Sequence, residues 1–529
     1  MRRFLISLCA LCASLLSFSQ PSQTKPLPWR GMMIDVSRHF VPLDELYREV
    51  DIMSHYGLNT LHLHLTDAAG WRMEIKAYPR LTEVGAWRTR QTWKEWWNKP
   101  EKQDGLDLSY VRAYSDSKSG FGGYYTQDEL KGLVKYAQAK GITIVPEIEF
   151  PGHSEEVCAA YPEVAFNHAE MNVSKEETYK FMETILKEVA EVFPSKYIHC
   201  GGDETATQKE QYAGAIRRMN SIVRGLGRKM VVWDEALSDS EADSSIVIMV
   251  WRNADIGKKA LSLGHQVVMC PGSWCYLDSY QDAPATQPET MGGYRPLKHI
   301  WDFGKEIALF RDKLLGAQVT LFTEYVPTVS LLQYQLWPRA LAMGEIGLGR
   351  TRSYKDFHRW ATHVTDSLRK AGVNAFDLRK EIGERPEYFK KVKHLAIGGK
   401  VKFNGDCRYS DVYKAGGDNA LVDGLQGTWN NNDNRWQGFC CDLDITIDLG
   451  KERAVHGVSM NFMQLTGPEI FFPEQVTVNG VPCAASPKDL PYSICDYTLS
   501  KKQTTRFLHI QAKRSPRKGW LFVDEVIVK

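Results

Sequence analysis

The octapeptide Tyr197-Ile198-His199-Cys200-Gly201-Gly202-Asp203-Glu204 runs a short apolar strand into two glycines and then presents two adjacent acids. Glycines at a strand end let the backbone turn sharply and let a ligand approach closely. Neighbouring carboxylates are costly to hold together unless something uses them, because each raises the other's proton affinity. On these residues alone two readings stand. One is a strand-to-helix turn in which an acid caps the next helix; the other is an acid pair that does chemistry.

The strand is one of a series. From Gly31 to about Gly372, short apolar runs alternate with amphipathic ones. Strands are predicted at Gly31–Val36, Thr60–Asp67, Ile142–Phe150, Tyr197–Cys200, Met230–Trp233, Ile246–Trp251, Gln266–Cys270 and Gln318–Thr323. Helices are predicted at Leu43–Tyr56, Gln127–Lys140, Glu176–Val192 and Gln211–Leu226, where apolar residues recur at three-to-four spacing. Eight such units predict an α/β fold, a (β/α)8 TIM barrel spanning residues 29–393. The rival, an open doubly wound sheet, lacks its Gly-rich phosphate turn after the first strand. The long Trp87–Tyr125 insertion reads as a loop over the barrel mouth.

After Lys393 the pattern changes to alternating strands divided by Gly, Asn, Asp and Pro turns. Asp444–Leu449, His456–Asn461, Gln475–Val478, Arg506–Ala512 and Trp520–Val528 predict a β-sandwich over residues 397–529. At the other end, Arg2 and Arg3 precede the apolar run Phe4–Leu16 and the small residues near Ser19. That is the layout of a cleaved signal peptide, residues 1–19, and implies export to the periplasm or beyond. Leu8 and Leu11 stand before Cys9 and Cys12 where a lipid-attachment site wants a small residue. No later apolar run is long enough to span a membrane.

The chain has 529 residues with Lys+Arg 66 against Asp+Glu 64, which gives no reason to expect a nucleic-acid partner. Two of the 11 cysteines lie in the leader, so an odd nine remain and at least one thiol is unpaired within the chain. Their spacing matches no zinc site. Cys158 and Cys200 read as buried thiols, and Cys483 with Cys495 as a candidate disulfide.

Barrel enzymes work at the C-terminal ends of their strands. Here those ends carry Asp35 and Arg38, Asp67, Glu149 and His153, Asp203 and Glu204, and Trp233 with Asp234 and Glu235. They continue with Trp251 and Arg252, Tyr276 and Asp278, and Phe322 and Glu324. Taken singly, a Trp here is more often core and a His more often structural. Acids and aromatic faces at all eight ends together describe a sugar pocket.

Four segments occur in order: Asp35-Val36-Ser37-Arg38-His39, His64-Leu65-Thr66-Asp67, Pro146-Glu147-Ile148-Glu149-Phe150-Pro151-Gly152-His153, and the opening His199–Glu204 turn. This set resembles glycoside hydrolase family 20, the β-N-acetylhexosaminidases. The resemblance implies exo-acting release of terminal β-linked GlcNAc or GalNAc from glycans, with retention of configuration and no metal or cofactor. In that family the substrate's 2-acetamido oxygen attacks the anomeric carbon to give an oxazolinium intermediate. Adjacent acids suit this better than the two opposed carboxyls of ordinary retaining glycosidases.

Carried over, the resemblance makes Glu204 the general acid/base and Asp203 the partner of the acetamide N–H. Tyr276 then donates to the acetamide oxygen, and Trp233, Trp251 and Phe322 wall the pocket. Arg38, Asp278 and Glu324 hold sugar hydroxyls, while Asp67 and His153 support Glu204. Phe322 stands where the family usually has Trp, and Glu149 where Asp is common. The C-terminal stretch from Leu421 through Trp429, Arg435 and Trp436 to Gly450 resembles discoidin-type, galactose-binding-like domains, which implies a second glycan contact there. Two alternatives stay open: a lacto-N-biosidase-like enzyme releasing disaccharides, and a non-catalytic glycan-binding protein.

Overall fold

The computed structural model describes residues 24–68, 70–88, 121–205, 208–238, 243–383 and 391–529. The leader and most of the Trp87–Tyr125 insertion lie outside the described residues. Eight parallel strands close into a barrel. They are β1 Trp29–Asp35, β2 Thr60–His64, β3 Thr143–Glu147, β4 Tyr197–His199, β5 Lys229–Trp233, β6 Val247–Val250, β7 Gln266–Met269 and β8 Gly316–Leu321. Closure is made where β1 pairs with β8 (Trp29 opposite Gly316 through Ile34 opposite Leu321) and with β2 on its other side. Each of the eight predicted strands is present.

The helices pack outside the barrel because their apolar faces match its outer wall. Glu176–Val192, for example, buries Phe181, Ile185, Leu186 and Val189, the residues at helical spacing. Gln127–Ala139 starts at a capping box, with Thr126 and Glu129 each bonding the other's backbone N–H. The regular alternation lapses between β5 and β6. There the described residues show only the short 3-10 turn Asp234–Ser238.

Inside the barrel the packing is partly polar. Trp29 Nε1 donates to Gln318 Oε1 (3.1 Å), and Gln318 Nε2 lies 3.2 Å from His62 Nδ1. His62 Nε2 is 3.0 Å from Glu147 Oε2. All four residues are buried, so a line of closely spaced polar groups climbs the barrel toward its C-terminal mouth.

The C-terminal part forms two antiparallel sheets. The five-stranded one orders Lys400–Phe403, Leu443–Val455, Gln503–Lys513, Gln475–Val478 and Val481–Pro482; the four-stranded one orders Gln437–Phe439, Leu521–Val528, Val458–Leu465 and Tyr492–Leu499. Ile445, Ile447, Phe462, Leu508, Ile510 and Val523 share one buried core. The five predicted strands are present; Leu443–Val455, Val458–Leu465 and Gln503–Lys513 run longer than expected. Tyr492–Leu499 was not predicted, because few of its residues are fully buried and its alternation is weak.

Candidate active site

The turn after β4 has the conformation that its glycines predict. Gly201 and Gly202 both take positive φ (57° and 97°), and a Cβ on Gly201 would lie 1.7 Å from Glu149 Oε2. The chain thereby crosses the top of the barrel and delivers Asp203 and Glu204 beside His153. His153 Nε2 is 3.3 Å from Glu204 Oε2 and 3.7 Å from Asp203 Oδ2. Its other nitrogen, Nδ1, lies 3.1 Å from Asp67 Oδ1.

Asp67 is the junction of the site. Arg38 Nη2 approaches its Oδ2 at 2.6 Å, and His64 Nε2 contacts the same oxygen at 2.8 Å. Burial works against its charge, but Arg38, His153 and His64 outweigh that and hold the carboxyl far below the usual range. Burial also works against the charge on His153, and there Asp67 and Asp203 prevail, raising its pKa well above that of a free histidine.

The two neighbouring acids part company. Asp203 is mostly buried and its pKa is raised, by burial first and against the pull of His153. Glu204 has a side chain 63% exposed, and its hydrogen bond to His153 lowers its pKa. Asp203 Oδ1 and Glu324 Oε2 are buried with no hydrogen-bond partner among the described residues. Such orphans in a mouth-side cluster are acceptors that a sugar's N–H and O–H groups can satisfy.

Arg38 links the first strand to the last. It pairs with Asp35 (3.3 Å) and reaches Glu324 Oε1 at 3.8 Å. Its guanidinium lies 5.3 Å from the Phe322 ring centroid. Burial raises Glu324 to about 7, with Asp35 and Asp278 adding and Arg38 opposing. Phe322 packs edge-on against Tyr276 (5.3 Å) and His64 (5.6 Å). Trp251 is half-buried and donates to both oxygens of Glu235 at 3.1 Å. Trp233 is deeper, 1% exposed, with its ring 4.9 Å from that of His199. It is therefore a floor residue of the barrel interior more than an open wall.

Asp278 and Tyr276 are set by Arg339, which is fully buried. The Arg339 guanidinium donates to the carbonyls of Leu277, Ser279 (3.1 Å), Arg295 (3.2 Å) and Gln335 (2.9 Å), clamping the backbone on both sides of Asp278. Burial lowers its pKa to about 9. Leu277 N–H also bonds Thr320 O at 2.8 Å, tying the segment to β8.

Arg339, His64 and Glu147 were not singled out as site residues from the sequence. A signal existed for the last two. His62 and His64 alternate on β2 and so face one side, inward, where Glu147 on the adjacent strand meets them. Glu147 Oε2 is 2.5 Å from His64 Nδ1, and Oε1 is 2.8 Å from His199 Nδ1. Burial opposes charge on His64, but Glu147 and Asp67 push it up to about 10. Burial holds His62 down near 4. Two groups among the described residues have ligand-type atoms close enough to hold a metal ion: His62, Glu147 and His199, and His64, Asp67 and Glu149.

Glu149, longer by a methylene than the usual Asp, leaves His153 within reach of Asp67. Its own carboxyl is buried, has no hydrogen-bond partner among the described residues, and its pKa is pushed strongly up by burial and by Asp203. At the C-terminal sheets, Trp436 is 1% exposed and donates Nε1 to Thr428 O (2.8 Å). Its ring is closed off from any glycan. All nine described cysteines are free thiols; Cys483 and Cys495 are not bonded.

Comparison with known proteins identifies the family of the barrel. The family model described as "Glycosyl hydrolase family 20, catalytic domain" matches residues 27–217 and 207–348. A β-hexosaminidase of Porphyromonas gingivalis is 33% identical over 386 residues, covering 65% of this chain and 46% of the relative. One of Vibrio furnissii is 32% identical over 360 residues, covering 60% and 56%. The chain thus spans about half the length of these curated relatives. Among solved structures, the exo-β-N-acetylglucosaminidase of Vibrio harveyi in complex with N-acetylglucosamine superposes with a TM-score of 0.57 at 28% identity. That match covers 67% of this chain and 59% of that one.

Proposed function

The chain belongs to glycosyl hydrolase family 20, and from that premise we propose that it is an exo-acting, retaining β-N-acetylhexosaminidase. Its substrates are glycans ending in β-linked GlcNAc or GalNAc. The observation that carries the proposal is the joint approach of Asp203 and Glu204 to one nitrogen of His153, 3.7 and 3.3 Å away. Carboxyls gathered on one side cannot flank a glycosidic bond as nucleophile and acid. They suit a reaction whose nucleophile comes with the substrate.

In the proposed mechanism the acetamide oxygen attacks the anomeric carbon as the bond to the leaving oxygen breaks. Glu204 gives that oxygen its proton, and the sugar is left as a cyclic oxazolinium ion. Water then adds at the anomeric carbon, Glu204 takes its proton, and the ring opens with configuration retained. Asp203, inward and with an orphaned oxygen, accepts the acetamide N–H and steadies the positive charge. Tyr276 donates to the acetamide oxygen. Glu204 is exposed and easily ionised before substrate arrives, so desolvation under the bound sugar is what brings it to the acid form.

Arg38, Asp278 and Glu324 serve the sugar hydroxyls, and Trp251 and Phe322 its apolar face, with Trp233 beneath. The basic start and apolar run of residues 1–19 support export. No described helix is long and apolar enough to cross a membrane. The sandwich of residues 397–529 is assigned to the discoidin type on its Trp429–Trp436 and Asp442–Gly450 motifs.

The test is hydrolysis of an aryl β-N-acetylglucosaminide set beside the plain β-glucoside, with a thiazoline analogue of the oxazolinium as inhibitor. The expected result is turnover of the first alone and inhibition by the thiazoline. Equal turnover of the β-glucoside would overturn the acetamide mechanism.

A further inference from the structure

The segment between Asp278 and Arg295 is far longer than a barrel turn needs, and it carries the two ends that Arg339 clamps. Its outer side is covered by the C-terminal sheets. Tyr280, 2% exposed, packs into a cluster with Trp436, Met463, Leu465, Ile470 and Phe522. Tyr294 meets Trp429 edge-on, with centroids 4.6 Å apart and planes at 88°. Thr466 Oγ1 donates to the Glu289 carboxylate. At Gly467 the two backbones come so close that a Cβ would lie 2.0 Å from Thr290 O.

These contacts enlist two of the three side chains expected to bind a second glycan, Trp429 and Trp436. Trp436 is buried, and Trp429 Nε1, the group that would bond a sugar hydroxyl, is shielded and unpartnered among the described residues. We propose that this face of the C-terminal sheets is a splint for residues 279–295, a positioning element that holds Tyr276 and Asp278 in register with the barrel. Arg339 grips the loop from within, and Trp429, Trp436 and Thr466 hold it from outside. On the barrel side Gln281 Nε2 also donates to Tyr334 O at 2.9 Å and Tyr334 O–H to Gln287 Oε1 at 3.0 Å, so the sheets supply the outer part of the support. A site missing the outer one would lose geometry at the acetamide and hydroxyl contacts without losing any group that touches substrate.

The kinetic side of this proposal rests on the hexosaminidase reading; the structural side does not. Both are tested on the full chain with Trp429→Ala, Tyr294→Ala, their double variant, and the milder Thr466→Val. Hydrogen exchange of residues 279–295 should quicken in each variant while the barrel strands keep their protection. KM for an aryl β-N-acetylglucosaminide should rise about tenfold with kcat less affected. The double variant should be no worse than its worse parent, because one contact is being removed twice.

A fall in melting temperature with loop exchange and KM unchanged overturns the splint. So does loss of chitin-oligosaccharide binding in Trp429→Ala with loop exchange unchanged, which would make this face a glycan site. If the wild type turns over no N-acetylhexosaminide, the hexosaminidase reading fails, and quickened loop exchange in the variants still supports the splint.

Discussion

His153 and Glu204 touch at 3.3 Å, Nε2 to Oε2, and both hold left-handed backbone, with φ of 51° and 47°. Non-glycine residues avoid that region at a cost of about 1–3 kcal/mol each, so the surroundings must enforce it. For Glu204 the enforcing element is the Gly201-Gly202 turn. For His153 it is the fixed bond to Asp67, itself anchored by Arg38 and His64. The acid is thus aimed by the backbone and tuned by a buried network.

The leaving group should separate the roles of the two acids. Glu204→Gln is expected to lose about 10²–10⁴-fold in kcat on a glycoside with a poor leaving group. It should recover most of that on a dinitrophenyl glycoside, which needs no proton. Asp203→Asn should stay impaired on both, since the nucleophile is misaligned in either case. Equal recovery by the two variants would contradict the division of labour.

Replacing His153 should move the pH profile. Its hydrogen bond lowers the pKa of Glu204 in the free protein. kcat/KM requires the protonated acid and so declines as pH rises through that pKa. His153→Asn should therefore carry the alkaline limb to higher pH while lowering the maximum. A limb that stays in place would show that His153 does not tune Glu204.

Arg339→Lys keeps the charge but cannot reach four carbonyls at once. The expected outcome is a folded protein with KM raised about tenfold and a kcat that falls with it. Tyr276→Phe should then cost much less in the Arg339→Lys background than in the wild type, because the tyrosine is already misplaced. Additive losses would make Arg339 a packing residue only.

Glu45 and Glu49, one helical turn apart on Leu43–His55, are both buried. Trp337 Nε1 donates to Glu49 Oε2 at 2.9 Å, and Gln333 Nε2 to Glu45 Oε1 at 2.7 Å. Burial, then the charge of Glu45, drives the pKa of Glu49 well up. A carboxyl with a raised folded-state pKa favours the fold below its unfolded value and loses that contribution as pH rises through the folded one. Melting temperature should thus decline with rising pH above the ordinary glutamate range. Glu49→Gln, which keeps the acceptor for Trp337, should flatten that slope and stabilise the protein at pH 8; an unchanged slope would place the titration elsewhere.

Much of this was legible in the chain. The β4 octapeptide, read with its seven counterparts, specifies a barrel, because apolar runs of strand length alternate with helical faces eight times and the Gly-rich phosphate turn of an open doubly wound sheet is missing after the first. It also specifies where chemistry sits, because glycines after a strand can only turn the chain over the barrel mouth. The strand ends then name Asp67, His153, Asp203, Glu204, Tyr276 and Glu324. All of these are local properties: period, turn chemistry and residue type.

What the tertiary structure decided is how distant groups set one another. Asp203 and Glu204 are equivalent in sequence, yet burial raises one while His153 lowers the other. Trp233, Trp251 and Trp436 read alike as aromatic platforms, but only closure of the barrel and of the sheets determines which ring stays open. Arg339 looks like one more helix cation until the fold brings the carbonyls at 277, 279 and 295 around it. Desolvation and electrostatic coupling depend on neighbours far away along the chain, and those neighbours exist only once it has folded.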